Sequence, residues 1–380
     1  MKIIILKENL NNGLNIIGRI AGKNLTLPIL NNILIETEGS FINLSSTDLE
    51  LGIKYWLLAK IEKEGKITIP SKILTSYINL LPNKKLTLEV KNQTLFIDCD
   101  DQNTQIKGLD AQDYPIIPTI NDKDFISLDA ASFCEGLAQV VDFATINQAR
   151  PELSGVYLSF QKDRVQLTAT DSVRLAEKTI FLKEKTDKNF AFILPQKTAR
   201  EIINIFIEQK GALRLYSSPN QVLFEYLMTE TDHPQIQVVS RLVEGEYPDY
   251  QGIIPKKYEA QIILSKNDFL NQVKTASIFS GKNNEIKVKI NSQKEGIEIL
   301  SQSPELGENK SFLPAKITYG QEGKKQETAA NFNYRFLIDG LLNIKSLKVI
   351  FELNGEDGPA VLKPAEDATY IYVVMPVKTT

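Results

Sequence analysis

An internal repeat constrains this chain more than any motif in it, because a pattern written three times calls for three similar folded bodies. Leu10, Leu14, Ile17 and Ala21 recur at offsets that place them on one face of a helix. The same offsets return at Phe133, Leu137, Val140 and Ala144, and a third copy supplies Phe269, Val273 and Ala276. That third copy opens on Ser265 with Asp268 three residues later, a weaker relative of the capping box. A second set of three follows. KITIPSKILTSYINLLP reads as a short strand, a proline at the helix start, then Leu74, Ile78 and Leu81; FILPQKTAREIINIF repeats it with Ala199, Ile203 and Phe206. In both, the first anchor stands four residues after Pro70 or Pro195, where a missing N–H leaves no helical bond unmade. NFNYRFLIDGLLNI lacks the proline and keeps the spacing at Leu337, Leu341 and Ile344.

Between these helices lie stretches such as FINLSSTDLELGIKYWL, VYLSFQKDRVQLTATDSVRLAEK and EIKVKINSQKEGIEILSQ, with period-two apolar positions and turn residues at their breaks. Each third therefore runs helix, strands, helix, strands. Every element has one apolar side to bury, so the expected class is α+β, with two helices packed on antiparallel sheets in each of three repeated domains. The expected boundaries are 1–121, 122–253 and 254–380. YPIIPTI from Tyr114 and YPDYQGIIP from Tyr247 follow the last strands of the first and second thirds. They read as proline-stiffened connectors between domains, and VVMPVKTT stands where a third would begin.

Composition narrows the function. With 42% hydrophobic and 24% charged residues the chain reads as an ordinary globular protein. No apolar run approaches the ~18 to 20 residues that span a bilayer, and MKIIILKENL lacks a signal-peptide pattern, so no membrane partner and a cytoplasmic location are expected. Cys99 and Cys134 form no CxxC pair and read as two reduced core thiols, with neither a disulfide nor a zinc site. A net charge of -3 argues against a conventional basic DNA binder, so any DNA contact must rest on how charge is distributed. An enzyme has little to work with: His233, the one histidine, reads as a surface loop residue in TETDHPQ, and no P-loop, GxGxxG, HExxH or GxSxG occurs. Asp48 and Asp171 recur in the STD and ATD strings and read as turn caps at strand ends, in separate domains. No catalytic residue, metal or cofactor is expected.

LTLPILNNILIE (Leu25 to Glu36), STDLELGI, RPELSGVYL, TATDSVRLAE, EYPDYQGIIP and the terminal YVVMPVK together resemble the bacterial DNA polymerase III beta subunit family, the replicative sliding clamps. The resemblance runs from the first strands to the last residues in the family's order. It implies three clamp domains per chain, half of a closed ring, with two chains meeting head to tail as a homodimer around duplex DNA. The implied function is topological: the ring tethers a replicative polymerase without reading sequence and without catalysis of its own. The implied partners are double-stranded DNA, the polymerase catalytic subunit, the clamp loader and other proteins with a clamp-binding motif.

Carried over position by position, the resemblance implies a partner-peptide cleft lined by Leu153, Thr170, Leu175, Pro248, Ile253, Val373 and Met375, with Ser172, Arg174, Pro376 and Val377 at its margin. Apolar pockets with a few polar groups suit extended peptide anchors. It also implies DNA contacts from Lys23, Lys72, Asn147, Arg150 and Lys197, and a dimer contact in which Ile278 and Phe279 face the strand of Thr104 and Ile106. The chain departs from the family at Pro151 and Glu152, where aromatics can follow Arg150, and at Val173, Gly252 and the Lys378-Thr379-Thr380 tail. The alternative reading is a repeat scaffold that binds proteins and never encircles DNA.

Overall fold

The computed structural model describes residues 1–22, 26–120, 124–145, 149–320 and 328–378. Six α-helices are found there: α1 (Lys7–Ile17), α2 (Ser71–Leu80), α3 (Ala130–Val140), α4 (Gln196–Phe206), α5 (Lys266–Ser277) and α6 (Tyr334–Asn343). Two fall in each third, as the repeat requires. The first helix of each pair is preceded by a strand, Lys2–Leu6, Ile126–Asp129 or Ala260–Ser265. Leu10, Leu14 and Ile17 are buried along α1, and each buried side chain of this size is worth about 2 kcal/mol.

Two of the templates overreach. Ala21 lies beyond the end of α1, which closes at Gly18, and Ala144 lies beyond α3, where a 3-10 turn, Val141–Phe143, takes over. The tighter winding turns Phe143 inward against Tyr372, ring centroids 5.0 Å apart. Gly13 of α1 and Gly136 of α3 stand at equivalent positions, and a Cβ on either would meet side chains of the sheet beneath at 2.8 Å (Leu44) or 2.6 Å (Ile180). Glycine at this point lets the helix approach its sheet closely.

The chain packs as two compact units, Met1–Cys134 with Glu201–Leu242, and Glu135–Arg200 with Val243–Thr380. The division cuts through the second third because its strands are shared between two sheets. In the first unit a five-stranded sheet runs Lys60–Lys63, Lys2–Leu6, Lys85–Lys91, Thr94–Cys99, Gln102–Lys107. An eight-stranded sheet runs Ile126–Asp129, Ala212–Ser217, Gln221–Leu227, Pro234–Arg241, Leu51–Leu58, Phe41–Thr47, Asn32–Glu38, Lys66–Pro70. In the second unit a nine-stranded sheet runs Phe190–Pro195, Gly155–Gln161, Arg164–Thr170, Arg174–Phe181, Tyr370–Val374, Ala360–Pro364, Lys348–Leu353, Ala260–Ser265, Lys316–Tyr319. A four-stranded sheet runs Gly307–Pro314, Gly296–Ser303, Glu285–Asn291, Ala329–Asn333. All of these pairings are antiparallel.

Two of these pairings cross from one repeat to the next. Leu51–Leu58 of the first repeat joins Pro234–Arg241 of the second, and Arg174–Phe181 of the second joins Tyr370–Val374 of the third. They are the same joint used twice. The strands left over in equivalent positions, Gln102–Lys107 of the first repeat and Gly307–Pro314 of the third, each form an open edge of their own sheet. Thr47, Thr170 and Ser303 begin the equivalent turns, each hydroxyl accepting a backbone N–H two residues on, from Leu49, Ser172 and Glu305.

Asp48 caps its turn by accepting from Glu50 and Leu51 N–H, and Asp171 does the same for Val173 and Arg174. Both cysteines are buried and free, and burial pushes the Cys134 thiol up to about 12. His233 is not the simple surface residue its loop suggests, for its ring is half-buried, stacked on Phe41 at 4.0 Å and edge-on to Trp56. Among the described residues no helix is long and apolar enough to cross a membrane.

Candidate functional site

Local hydrogen bonding brings together, within the second unit, most of the residues expected to line the cleft. The strand Arg164–Thr170 ends in a turn whose residue Ser172 has φ +76°, a left-handed conformation held by its N–H bond to Thr170 and by the Asp171 cap. Thr170 Oγ1 donates in turn to the Arg174 carbonyl at 2.6 Å. The chain then pairs with the last strand in a register that sets Leu175 opposite Val373 and Arg174 opposite Val374. Beyond that strand Met375 N–H donates to the Val173 carbonyl at 2.9 Å, and Val377 N–H to Asn331 at 2.8 Å, so the tail is tied down on both sides.

Leu175 and Val373 are buried together with Tyr250 and Val361, and Tyr157, Tyr247, Ile254 and Ile371 pack against them. Tyr157 and Tyr247 stack at 4.7 Å, and Tyr250 donates to Glu177 at 2.6 Å while accepting from Thr168 at 2.9 Å. Burial, with the Glu177 carboxylate beside it, pushes the Tyr250 phenol well above its ordinary value, so it remains a donor. The result is a firm apolar floor beneath a rim that stays accessible: Ser172, Val173 and Ile253 are exposed, Pro248 and Met375 half-buried.

Of the expected cleft residues, the fold thus joins Thr170, Ser172, Arg174, Leu175, Val373 and Met375 through one turn and one strand pair. Pro376 is buried and Val377 half-buried in the anchored tail, while Leu153 is buried at the end of a 3-10 turn, its carbonyl accepting from Thr145. Pro248 and Ile253 flank Tyr250 in the connector. Sequence reasoning missed the tyrosine floor, although the YPDY string already held two of its members.

Arg174 faces away from the role of a free cleft cation. Its guanidinium bonds Asp171 at 2.9 Å, also bonds Asp339, and lies 4.5 Å from the Phe336 ring centroid and 5.2 Å from that of Phe143. Burial works against its charge, but Asp339, Tyr372 and Asp171 hold its pKa above the ordinary value. The cation nearer the open rim is Arg150, which donates to Ser172 Oγ at 3.1 Å and pairs with Glu152 at 3.0 Å.

Lys72 and Lys197 are exposed second residues of α2 and α4. The equivalent position of α6 is Arg335, also exposed, which the repeat spacing could have located two residues before Leu337. None of these three helices carries an acid in its first turn, where the helix dipole would favour one. Three helix starts with a base and no acid attract anions. Lys23 and Asn147 lie outside the described residues. On the open edge of the first repeat, Ile106 is buried and Thr104 half-buried. In the third repeat α5 packs across Gly296–Ser303 and Gly307–Pro314 and ends at Ile278, 64% exposed, with Phe279 half-buried after it.

Models of the DNA polymerase III beta subunit match the chain in three successive pieces, the N-terminal domain over residues 1–118, the central domain over 127–249 and the C-terminal domain over 251–378. The beta sliding clamp of Synechocystis sp. is 26% identical over 100% of this chain and 99% of its own length. That of Staphylococcus epidermidis is 27% identical over 100% of both. The crystal structure of the DNA polymerase sliding clamp from Bacillus subtilis, 25% identical, matches over 100% of both chains with a TM-score of 0.91. With all three domains matched in order and the joints between them built alike, the chain belongs to the DNA polymerase III beta subunit family, the beta sliding clamps.

Proposed function

We propose that two copies of this chain close head to tail around duplex DNA and tether the replicative polymerase to it, as a processivity subunit without catalysis of its own. The observation that carries this reading is the pair of open strand edges. Two equivalent edge pairs are joined within the chain, and the third pair, Gln102–Lys107 and Gly307–Pro314, is free at opposite ends of the repeat series. An open edge invites another strand, and a head-to-tail contact made twice closes a two-chain ring. Thr104 and Ile106 on one edge, with Ile278 and Phe279 beside the other, form this contact.

The proposed domains are 1–121, 122–253 and 254–380, working in the cytoplasm. Lys72, Lys197 and Arg335 at the helix starts, with Lys23 and Asn147, attract the phosphate backbone weakly and without regard to sequence, as sliding requires. Arg150 serves at the mouth of the cleft or at DNA, and its bond to Ser172 favours the cleft. The cleft of Leu153, Thr170, Leu175, Pro248, Ile253, Val373 and Met375, edged by Ser172, Arg174, Pro376 and Val377, takes the motif peptides of the polymerase catalytic subunit, the clamp loader and other partners. A small polar rim over an apolar floor suits one extended peptide at a time.

Loading the protein onto singly nicked circular DNA with its clamp loader, then cutting the circle, tests the reading. A ring is retained on the circle and lost on linearisation. Equal retention on circular and linear DNA would instead identify a scaffold that binds DNA directly or not at all.

A further inference from the structure

The joint between the first and second repeats matches, position by position, the joint that carries the cleft. Val239 lies opposite Gly52 as Val373 lies opposite Leu175, and Ser240 opposite Leu51 as Val374 opposite Arg174. Leu49 and Ser172 share a left-handed φ, +78° and +76°. Arg241 N–H donates to the Glu50 carbonyl at 2.9 Å, just as Met375 N–H donates to Val173 at 2.9 Å. Beneath lies an apolar cluster of Ile117, Tyr216, Leu223 and Val239 with Ile120 against it, the counterpart of the tyrosine floor.

Three departures set what this groove can take. Gly52 stands in the place of Leu175, and a Cβ there would fall 2.6 Å from Ile117 Cγ2, so the connector itself fills that volume. Glu50 stands in the place of Val173 and Arg241 in that of Met375, which puts opposite charges at two positions that are apolar in the other joint. Neither charge has an ion-pair partner among the described residues. What remains open is a cavity of about 190 Å³ whose lining includes Leu49, Leu51, Ile116, Pro118 and Val239. That is below the ~300 to 1,000 Å³ of small-molecule sites and suits a single side chain. Above it Ile116 is 93% exposed and Leu49 46%, although a connector residue could have been polar at no loss to the fold.

We infer that this groove is a second peptide-docking site, whose occupant is an extended peptide with one aliphatic side chain for the cavity, a carboxylate against Arg241 and a basic group against Glu50. The inference rests on the reading of the equivalent cleft as a peptide site. Charge complementarity selects a zwitterionic segment, and the pair of unpaired charges discriminates against the purely apolar anchors that the tyrosine-floored cleft accepts.

Methyl NMR of the full-length protein tests it, with the capped tripeptide acetyl-Asp-Leu-Lys-amide as probe and acetyl-Gly-Leu-Gly-amide as its neutral control. The charged probe is expected to move the Val239 and Leu51 methyl signals in a saturable titration, with the neutral control at least about threefold weaker, the scale of an exposed ion pair. Arg241→Ala should bring the charged probe down to the control. Leu49→Gly, which relieves a left-handed position and removes an apolar rim, should weaken both peptides. The inference is overturned if only Val373 responds, if nothing moves at the probe's solubility limit, or if Arg241→Ala binds unchanged. Val239 shifts that follow protein concentration without probe would assign the groove to a second copy of the chain and overturn it too. The other cleft is read separately, through Val373 and a clamp-motif peptide, so either site can fail alone.

Discussion

Gly340 and Arg174 both brace the strand Tyr370–Val374. A Cβ at Gly340 would lie 2.4 Å from the Tyr372 ring, whose hydroxyl donates to the Phe336 carbonyl at 2.9 Å in the preceding turn. Gly340→Ala is therefore expected to destabilise by about 1 to 3 kcal/mol through overpacking, despite alanine's better helix propensity, as read by urea unfolding. Asp367 supports the same strand from the other end. Burial pushes its carboxyl up, but Lys178 at 2.8 Å and the Thr369 hydroxyl and N–H outweigh that and hold its pKa below the ordinary value of 3.8. A depressed folded pKa means stability present above the ordinary carboxylate value and lost as pH falls through the folded one. Asp367→Asn should thus lower the stability slightly at pH 7, by less than about 1 kcal/mol for a pair whose carboxylate is 39% exposed, and the gap should close in acid. These roles were not legible in the sequence. Asp339 meets Arg174 from 165 residues away and Lys178 meets Asp367 from 189, separations at which spacing rules say nothing.

At the scale of elements, the repeat was legible because a buried face imposes its period on the sequence whatever the neighbours are. Leu10, Phe133 and Phe269 each mark the first buried turn of a helix. Helix ends were less so: Ala21 and Ala144 keep the period after the helix has stopped, since an alanine fits a loop as readily as a helix face. The cleft's strand and tail were visible through TATDSVRLAE and YVVMPVK, whereas its floor required Tyr157 and Tyr247 to meet across 90 residues, 247 less 157. Arg335 was recoverable from the repeat alone and shows what strict use of it yields. Charge reversal at Lys72, Lys197 and Arg335 together should leave the fold unchanged and lower the salt dependence of DNA binding, the slope of log affinity against log salt falling by about 1 for each phosphate that is no longer neutralised. An unchanged slope would place these helix starts away from DNA.

For the whole molecule, a net charge of -3 sits easily with a protein that holds DNA by enclosure, since affinity need not come from the sum of charges. In the proposed ring, enclosure depends on the open edges. Thr104→Arg puts a charge onto the same edge strand at a half-buried position beside the proposed contact and is expected to shift the sedimenting species from two chains to one while each chain stays folded, with loss of retention on circular DNA. A folded dimer carrying that substitution would remove the edge from the contact.

The two internal joints and the proposed third differ in one respect that their geometry hides. Leu51–Leu58 with Pro234–Arg241, and Arg174–Phe181 with Tyr370–Val374, belong to one polypeptide, so a strand that peels away remains tethered at an effective concentration on the millimolar scale and re-pairs at once. The edges at Gln102–Lys107 and Gly307–Pro314 have no such tether. A ring closed through these edges, as proposed, has an assigned gate: thermal fluctuation or a loading machine parts it between chains before either internal seam yields.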